Sequence, residues 1–394
     1  MLRKRILAAV VLSALAGGLA ASAPAYSARD DGPAWDGSHW DGAGHHGKDG
    51  EDGAVFVQTN KPLGNTIQVY DRGDDGVLTM AGEYQTGGLG GATIGPPVDA
   101  LASQGSLIYA DGLLFAVNAG SNTVSVFRVD GDKLELLDVT WSGGLLPVSI
   151  AVHEDLVYVL NAAGAGAVQG FRVENDKLHR IEDSSRSLDL VNANPPAFAT
   201  APAQVGVDPE GRFVLVTTKG NNTIEAYRIG DKGSLSKEPT SNPDPGTPFG
   251  FTFDDEGKLL VAESGTNAVT RYQVSGDGTV TPNGPSVPNG QTATCWIQQV
   301  GEYFYAANAG SSTISSYTVD DEGNLILVAA IAVDTGGGSI DMTTADGILY
   351  VQNAAAGNVQ GYRVNDDGSL TLITTVDGLP QFANGTGMEG IAAS

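Results

Sequence analysis

The sequence predicts an all-β fold, a seven-bladed β-propeller of four-stranded antiparallel blades, and three observations carry that prediction. First, the stretch L-F-A-V-N-A-G-S-N-T-V-S-V-F-R-V at Leu114–Val129 alternates apolar and polar residues, turns through Asn, Gly and Ser, and alternates again. Period two on both sides of such a turn reads as a β-hairpin. The pattern returns at Val55–Tyr70, Val157–Phe171, Phe213–Tyr227, Leu259–Tyr272, Tyr303–Tyr317 and Leu349–Tyr362, which makes seven copies. Second, the aromatic of each returning strand (Tyr70, Phe127, Phe171, Tyr227, Tyr272, Tyr317, Tyr362) recurs after 57, 44, 56, 45, 45 and 45 residues. A period of roughly 40–50 residues with four strands per unit is the propeller signature. Third, the first repeat starts at its second strand. Its missing innermost strand stands at the other end, where Met388-Glu389-Gly390-Ile391-Ala392-Ala393 repeats the pattern of Val148–Val152. The C-terminal strand is therefore expected to join blade one and close the ring, hiding the edge that an open array would expose.

Taken in order, the chain opens with Arg3, Lys4 and Arg5 before an apolar run from Ile6 to Leu19 and a small-residue stretch. This reads as a signal peptide over residues 1–27, cut after Ala25-Tyr26-Ser27, with Ala23 the alternative. The expected product is secreted, with no membrane attachment after cleavage. Residues 28–53 form a Gly/Asp/His-rich leader. His39, His45 and His46 offer loose metal ligation or a solvated tail, and without ligand spacing a flexible leader and no metal site are expected. The propeller occupies residues 54–394.

Within a repeat, strands are expected at, for example, Ser149–Val152 (innermost), Leu156–Leu160, Val168–Val173 and Leu178–Ile181. Asp74-Asp75-Gly76, Asp277-Gly278, Asp321-Glu322-Gly323 and Asp366-Asp367-Gly368 resemble pieces of calcium loops but lack the remaining ligands, so they read as hairpin turns. A formal charge of −25 excludes nucleic acid and anionic membrane surfaces as expected partners. The single cysteine, Cys295, reads as a small buried hydrophobe. No P-loop, dinucleotide fingerprint or Gly-x-Ser-x-Gly elbow is present, so no cofactor is expected. A monomer is expected.

Loops joining strands two and three share one face with the loops joining successive blades. The two long spacings come from insertions in the second set, near residues 86–104 and 183–201, which should wall a pocket on that face. There, Asn118, Asn161, Asn308 and Asn353 recur at the turns, to bind a polar ligand or to satisfy their own turns. Blade four has Thr218 and Lys219 at the matching positions, and blade five has Glu263. This charged pair could serve a function or form an ion pair. Facing the tunnel, the innermost strands should present Ser106, Ser149, Gln204, Gly250, Trp296, Ser339 and Gly390.

From Val55 onward the chain resembles the lactonase family of seven-bladed propellers, which includes 6-phosphogluconolactonase and the carboxymuconate cyclases. The likeness rests on Val207-Asp208-Pro209-Glu210-Gly211-Arg212-Phe213 and on repeats such as Asn118-Ala119-Gly120-Ser121-Asn122-Thr123 followed by Val126-Phe127. It is nearest to secreted actinobacterial members. The resemblance implies a Pro-Arg-His run on an innermost strand and an Asn-Glu pair ending the next; here the matching segments read Pro202-Ala203-Gln204 and Thr218-Lys219. Gln204 cannot act as a general base, and Lys219 reverses the charge of the Glu it replaces.

Two functions follow as expectations. The favoured one is a binding module that presents Gln204, Trp296 and the turn asparagines to a small molecule, glycan or protein. The alternative is an extracellular hydrolase of a lactone or related ester, with Glu263 as catalytic base and Lys219 or Gln204 polarising the carbonyl.

Overall fold

The computed structural model describes residues 53–394, so the expected signal peptide and nearly all of the leader lie outside the described residues. The described chain forms seven antiparallel sheets. In blade three, Pro147–His153 is innermost, followed outward by Leu156–Asn161, Ala167–Glu174 and Lys177–Arg180. The other innermost strands are Leu107–Ala110, Pro202–Val207, Pro248–Phe253, Thr294–Val300, Ser339–Ala345 and, for blade one, Ile391–Ala393. That last strand pairs antiparallel with Gly53–Gln58, with Val57 opposite Ile391. The C-terminal closure read from the sequence is thus the one observed.

Alternation explains the core. Second strands carry β-branched and aromatic residues on both faces because each is buried between neighbouring blades: Val157 to Leu160 and Phe213 to Val216 are all buried. The seven repeating aromatics are likewise buried, and hydroxyls are satisfied locally, as where Tyr227 donates to the Ser187 carbonyl. A second device ties blades together. Tyr158, Tyr305 and Tyr350 on second strands donate to the carbonyls of Gly233, Gly368 and Gly76, each in the outer turn of the next blade round the ring. Those glycines have φ of 75–81°, and at Gly368 a Cβ would stand 2.4 Å from the Tyr303 ring. The turn must therefore be glycine both for its left-handed backbone and for close approach. Of the Asp-rich turns, those ending at Gly76 and Gly368 take this role, while the carbonyls of Gly278 and Gly323 accept from Asn242 and Arg271 of the preceding blade.

Two features depart from a plain four-strand repeat. In blade three a short strand at Arg186–Ser187, inside the second insertion, also pairs with Ala167–Glu174; in blade five Val287–Pro288 does the same with Ala268–Val274. Innermost strands also carry a bulge near their start, between Pro147 and Ser149, Pro202 and Gln204, Pro248 and Phe251, Thr294 and Trp296, and Ser339 and Met342. Bulges re-aim side chains. In blade seven the register places Met342 opposite Val351, the counterpart of Ile150 opposite Val159. Asp341, rather than Ser339, therefore occupies the tunnel level of Ser149, Gln204 and Trp296.

Candidate functional site

The two insertions meet on one face. Ile94 bridges Ala197 in parallel, its N–H donating to the Pro196 carbonyl at 2.8 Å. From there the first insertion turns inward, and residues 99–105 cross the mouth of the tunnel and bond to the other six blades around them. Leu101 N–H donates to Glu389 Oε1, just before the strand that completes blade one. Ser103 Oγ donates to the Val148 carbonyl of blade three, and Gln104 N–H to the Ala203 carbonyl of blade four. The Gln104 amide spans blades five and six, donating to the carbonyls of Phe251 and Ile297 and accepting from Ile297 N–H. Gly105 N–H donates to Asp341 of blade seven.

A loop crossing a channel exposes backbone groups that cannot be left unpaired. Asp99 solves this for the first turn: its Oδ1 accepts from Leu101 and Ala102 N–H, and its Oδ2 from Ser103 N–H, all at 2.9–3.0 Å. Lys219 Nζ donates to the Ala102 carbonyl at 2.5 Å, and Trp296 Nε1 to the Ser103 carbonyl at 2.8 Å. Gly250 is glycine because a Cβ there would lie 2.1 Å from Gln104 Oε1 and 2.7 Å from the Cys295 carbonyl.

The charges under this plug are buried together. Lys219 packs its ammonium 4.5 Å from the centre of the Phe249 ring; burial lowers its pKa to about 8, against the opposing pull of Asp99 and Cys295. Burial, and then the charge of Asp99 and a hydrogen bond with it, raise Glu389 well above the usual carboxylate range. Burial pushes the Cys295 thiol up to about 12, consistent with its expected inert role.

The expected site residues are therefore distributed differently from the sequence reading. The pocket expected on the insertion-bearing face is filled by residues 99–105. Lys219 and Glu263 do not meet. Glu263 matches Thr218 in register, one residue before Lys219, and a one-residue offset in a strand reverses the face. Lys219 turns to the axis. Glu263 turns between blades four and five, where it accepts from Thr266, Tyr272 and Ser286 hydroxyls beside Asp244. Gln204 and Trp296 do sit at the axis, but Gln204 is bonded to both N–H and carbonyl of Phe251.

Asn118, Asn161, Asn308 and Asn353 are buried and form no open ring. Asn118 is typical: it accepts from Asn65 and Thr86 of blade one and donates to Thr123 and Ser125. Asn161 bonds Ser142, Asn308 bonds Asn289 and Thr294, and Asn353 donates to Asn358 and Gln360. Asn118, Asn161 and Asn308 tie their turns to the segment arriving from the preceding blade, whereas both partners of Asn353 lie on the next strand of its own blade. Asp99, Gln104, Asp341 and Glu389 were missed. Only Glu389 carried a signal, a carboxylate where the equivalent innermost-strand positions hold Val148, Ala203, Phe249, Cys295 and Ile340.

Beneath the plug the tunnel remains open as a cavity of about 440 Å³. Gln104 forms its ceiling. Its walls run down the innermost strands to Val152, Val207, Phe253, Thr344 and Ala393, the strand ends on the face opposite the insertions.

This geometry, a seven-bladed ring with an axial chamber, defines the class to which the chain belongs. The profile of the family described as "Lactonase, 7-bladed beta-propeller" matches residues 107–381, and the chain is a member of that family. Among solved structures it is similar to a protein from Lactobacillus plantarum, at 19% identity and TM-score 0.67, covering 87% of this chain and 98% of that one. It is also similar to the periplasmic gluconolactonase of Pseudomonas aeruginosa, at 16% identity and TM-score 0.66, covering 84% and 98%. These likenesses share the fold. Comparison with curated proteins gives no match.

Proposed function

We propose that the protein is an exported binding propeller that holds a small molecule in its axial cavity, and that it does not hydrolyse lactones at the insertion-bearing face. The observation that supports this most is the plug. It occupies the mouth where the family resemblance would put a substrate, and it engages Lys219 and Trp296, whose polar groups a substrate would otherwise have to use. The positions corresponding to the family's Arg, His and Glu hold Ala203, Gln204 and Lys219, a set with neither the guanidinium, the imidazole nor the carboxylate, and Lys219 is already bonded to the Ala102 carbonyl of the plug. Export is inferred from the basic residues and apolar run of residues 3–19.

The hydrolase reading needs Glu263 and one polarising group to share a substrate, and Glu263 is instead bonded to three hydroxyls within the wall between blades four and five. The test is hydrolysis of gluconolactone and 6-phosphogluconolactone by the purified protein. The expected result is no acceleration over the spontaneous rate. Turnover that disappears in Glu263→Gln or Lys219→Met would overturn the proposal.

A further inference from the structure

The axial cavity has a distinctive charge composition. Just beneath Gln104 its wall carries Gln204 and Asp341, and Asp341 is the one carboxylic acid side chain that lines it. Among all residues lining the cavity there is no Lys, Arg or His; besides Asp341, Tyr109 is the only titratable group. The remaining polar surface comes from Gln204, Gln298, Thr252, Thr343 and Thr344, and Phe251 and Phe253 supply aromatic area.

We propose that this cavity takes a small organic cation, an ammonium on a hydrogen-bonding skeleton, with Asp341 as its counter-charge. This rests on the reading of the protein as a binding propeller and names the ligand chemistry of that site. A carboxylate in a chamber with low-dielectric walls attracts a cation and repels an anion far more strongly than it would in water. The net charge of −25 adds to the same selection. Asp341 is also fixed in place: its Oδ2 accepts from Gly105 N–H at 3.2 Å and its Oδ1 from Met342 N–H at 2.9 Å. Each oxygen keeps acceptor capacity for an ammonium donor. An anionic ligand, such as a sugar acid or phosphosugar, would meet no basic partner and one like charge.

Asp341 itself is pushed up to about 7, chiefly by burial, with the two backbone N–H bonds opposing and Asp99 adding to the rise. A cation bound beside it competes with its proton, so binding should weaken as the pH falls below about 7.

Isothermal titration calorimetry of the purified protein with N-methylglucamine, sorbitol and gluconate compares cation, neutral and anion on one polyol skeleton. At pH 8 the expected order is N-methylglucamine tighter than sorbitol by at least about tenfold, with no gluconate binding. Asp341→Asn should abolish that preference. Should that variant fail to fold, the wild-type titration at pH 6 serves in its place and should show the preference sharply reduced. Sorbitol within tenfold of N-methylglucamine, or any gluconate binding, would overturn the charge assignment while leaving the binding-propeller reading intact. Binding of none of the three would overturn the assignment of this cavity. Only lactone turnover counts against the reading beneath it.

Discussion

Lys219 Nζ meets the Ala102 carbonyl oxygen at 2.5 Å, joining blade four to the loop that precedes blade two. The contact places a buried ammonium on a backbone acceptor, with a phenyl ring on one side and the Asp99 carboxylate acting on it electrostatically. Its position corresponds to Ala119, Ala162, Ala309 and Ala354 in sibling blades, so the lysine exists for the plug and not for the repeat.

A prediction about pH follows from that contact. The lysine loses its proton at about 8 in the folded protein and near 10.5 when unfolded. Between those values the unfolded chain binds more protons, so Lys219 makes the protein more stable as the pH rises from about 8 to 10.5. Lys219→Met should lack that component. Urea unfolding at pH 7.5 and pH 10.5 should show the wild type gaining on the variant by about 1–3 kcal/mol. Parallel changes in the two proteins would contradict the burial of the ammonium.

Asp244 yields a prediction of opposite sign. It is buried, and burial followed by the charge of Glu263 raises its pKa from 3.8 to about 6, against the opposing hydrogen bonds of Gly246 N–H and the Tyr272 hydroxyl. The folded protein therefore holds a proton that the unfolded chain has lost, and stability falls as the pH rises from about 4 to 6. Asp244→Asn keeps the Gly246 N–H acceptor and removes the charge. At pH 7 it should be more stable than the wild type by about 1–3 kcal/mol, and at pH 3.5 indistinguishable from it. A destabilised variant at pH 7 would mean that the hydrogen bonds from Gly246 and Tyr272 outweigh the burial of the charge.

The fold was legible because its signals are local and repeated. Seven mid-strand aromatics at near-constant spacing define the blades, and Met388–Ala393 matches a pattern seen six times before it. The site was less legible for reasons that are also physical. Asp99 and Gln104 lie in an insertion with no periodicity, and their partners, from Glu389 to Ile297, are set by ring closure. Asp341 was displaced in the reading by the bulge after Ser339, which shifts what faces the tunnel. Lys219 and Glu263 were both recognised as departures from the repeat, but alternation along a strand separates them.

Ring closure can be tested by truncation. Ile391–Ala393 pairs with the first strand, Gln58 N–H donates to the Gly390 carbonyl, and Met388 and Ile391 are buried between blades one and seven. Removing residues 387–394 also deletes Glu389, an anchor of the plug. A loss of several kcal/mol is expected from the buried side chains alone, read as a fall of the melting midpoint. An unchanged cooperative melt would refute closure by the C-terminal strand.

Residues 99–105 shut the tunnel mouth, and native-state amide hydrogen exchange measures that directly. The amides of Leu101, Ala102 and Ser103 are held by Asp99 and Glu389, and that of Gln104 by the Ala203 carbonyl. If the plug is part of the core, these amides should be protected about as strongly as Ile150 and Val205 on the adjoining innermost strands. Exchange as fast as that of the exposed turn at Leu63 would show a mouth that opens freely, and a binding site sealed from the insertion-bearing face would no longer describe this protein.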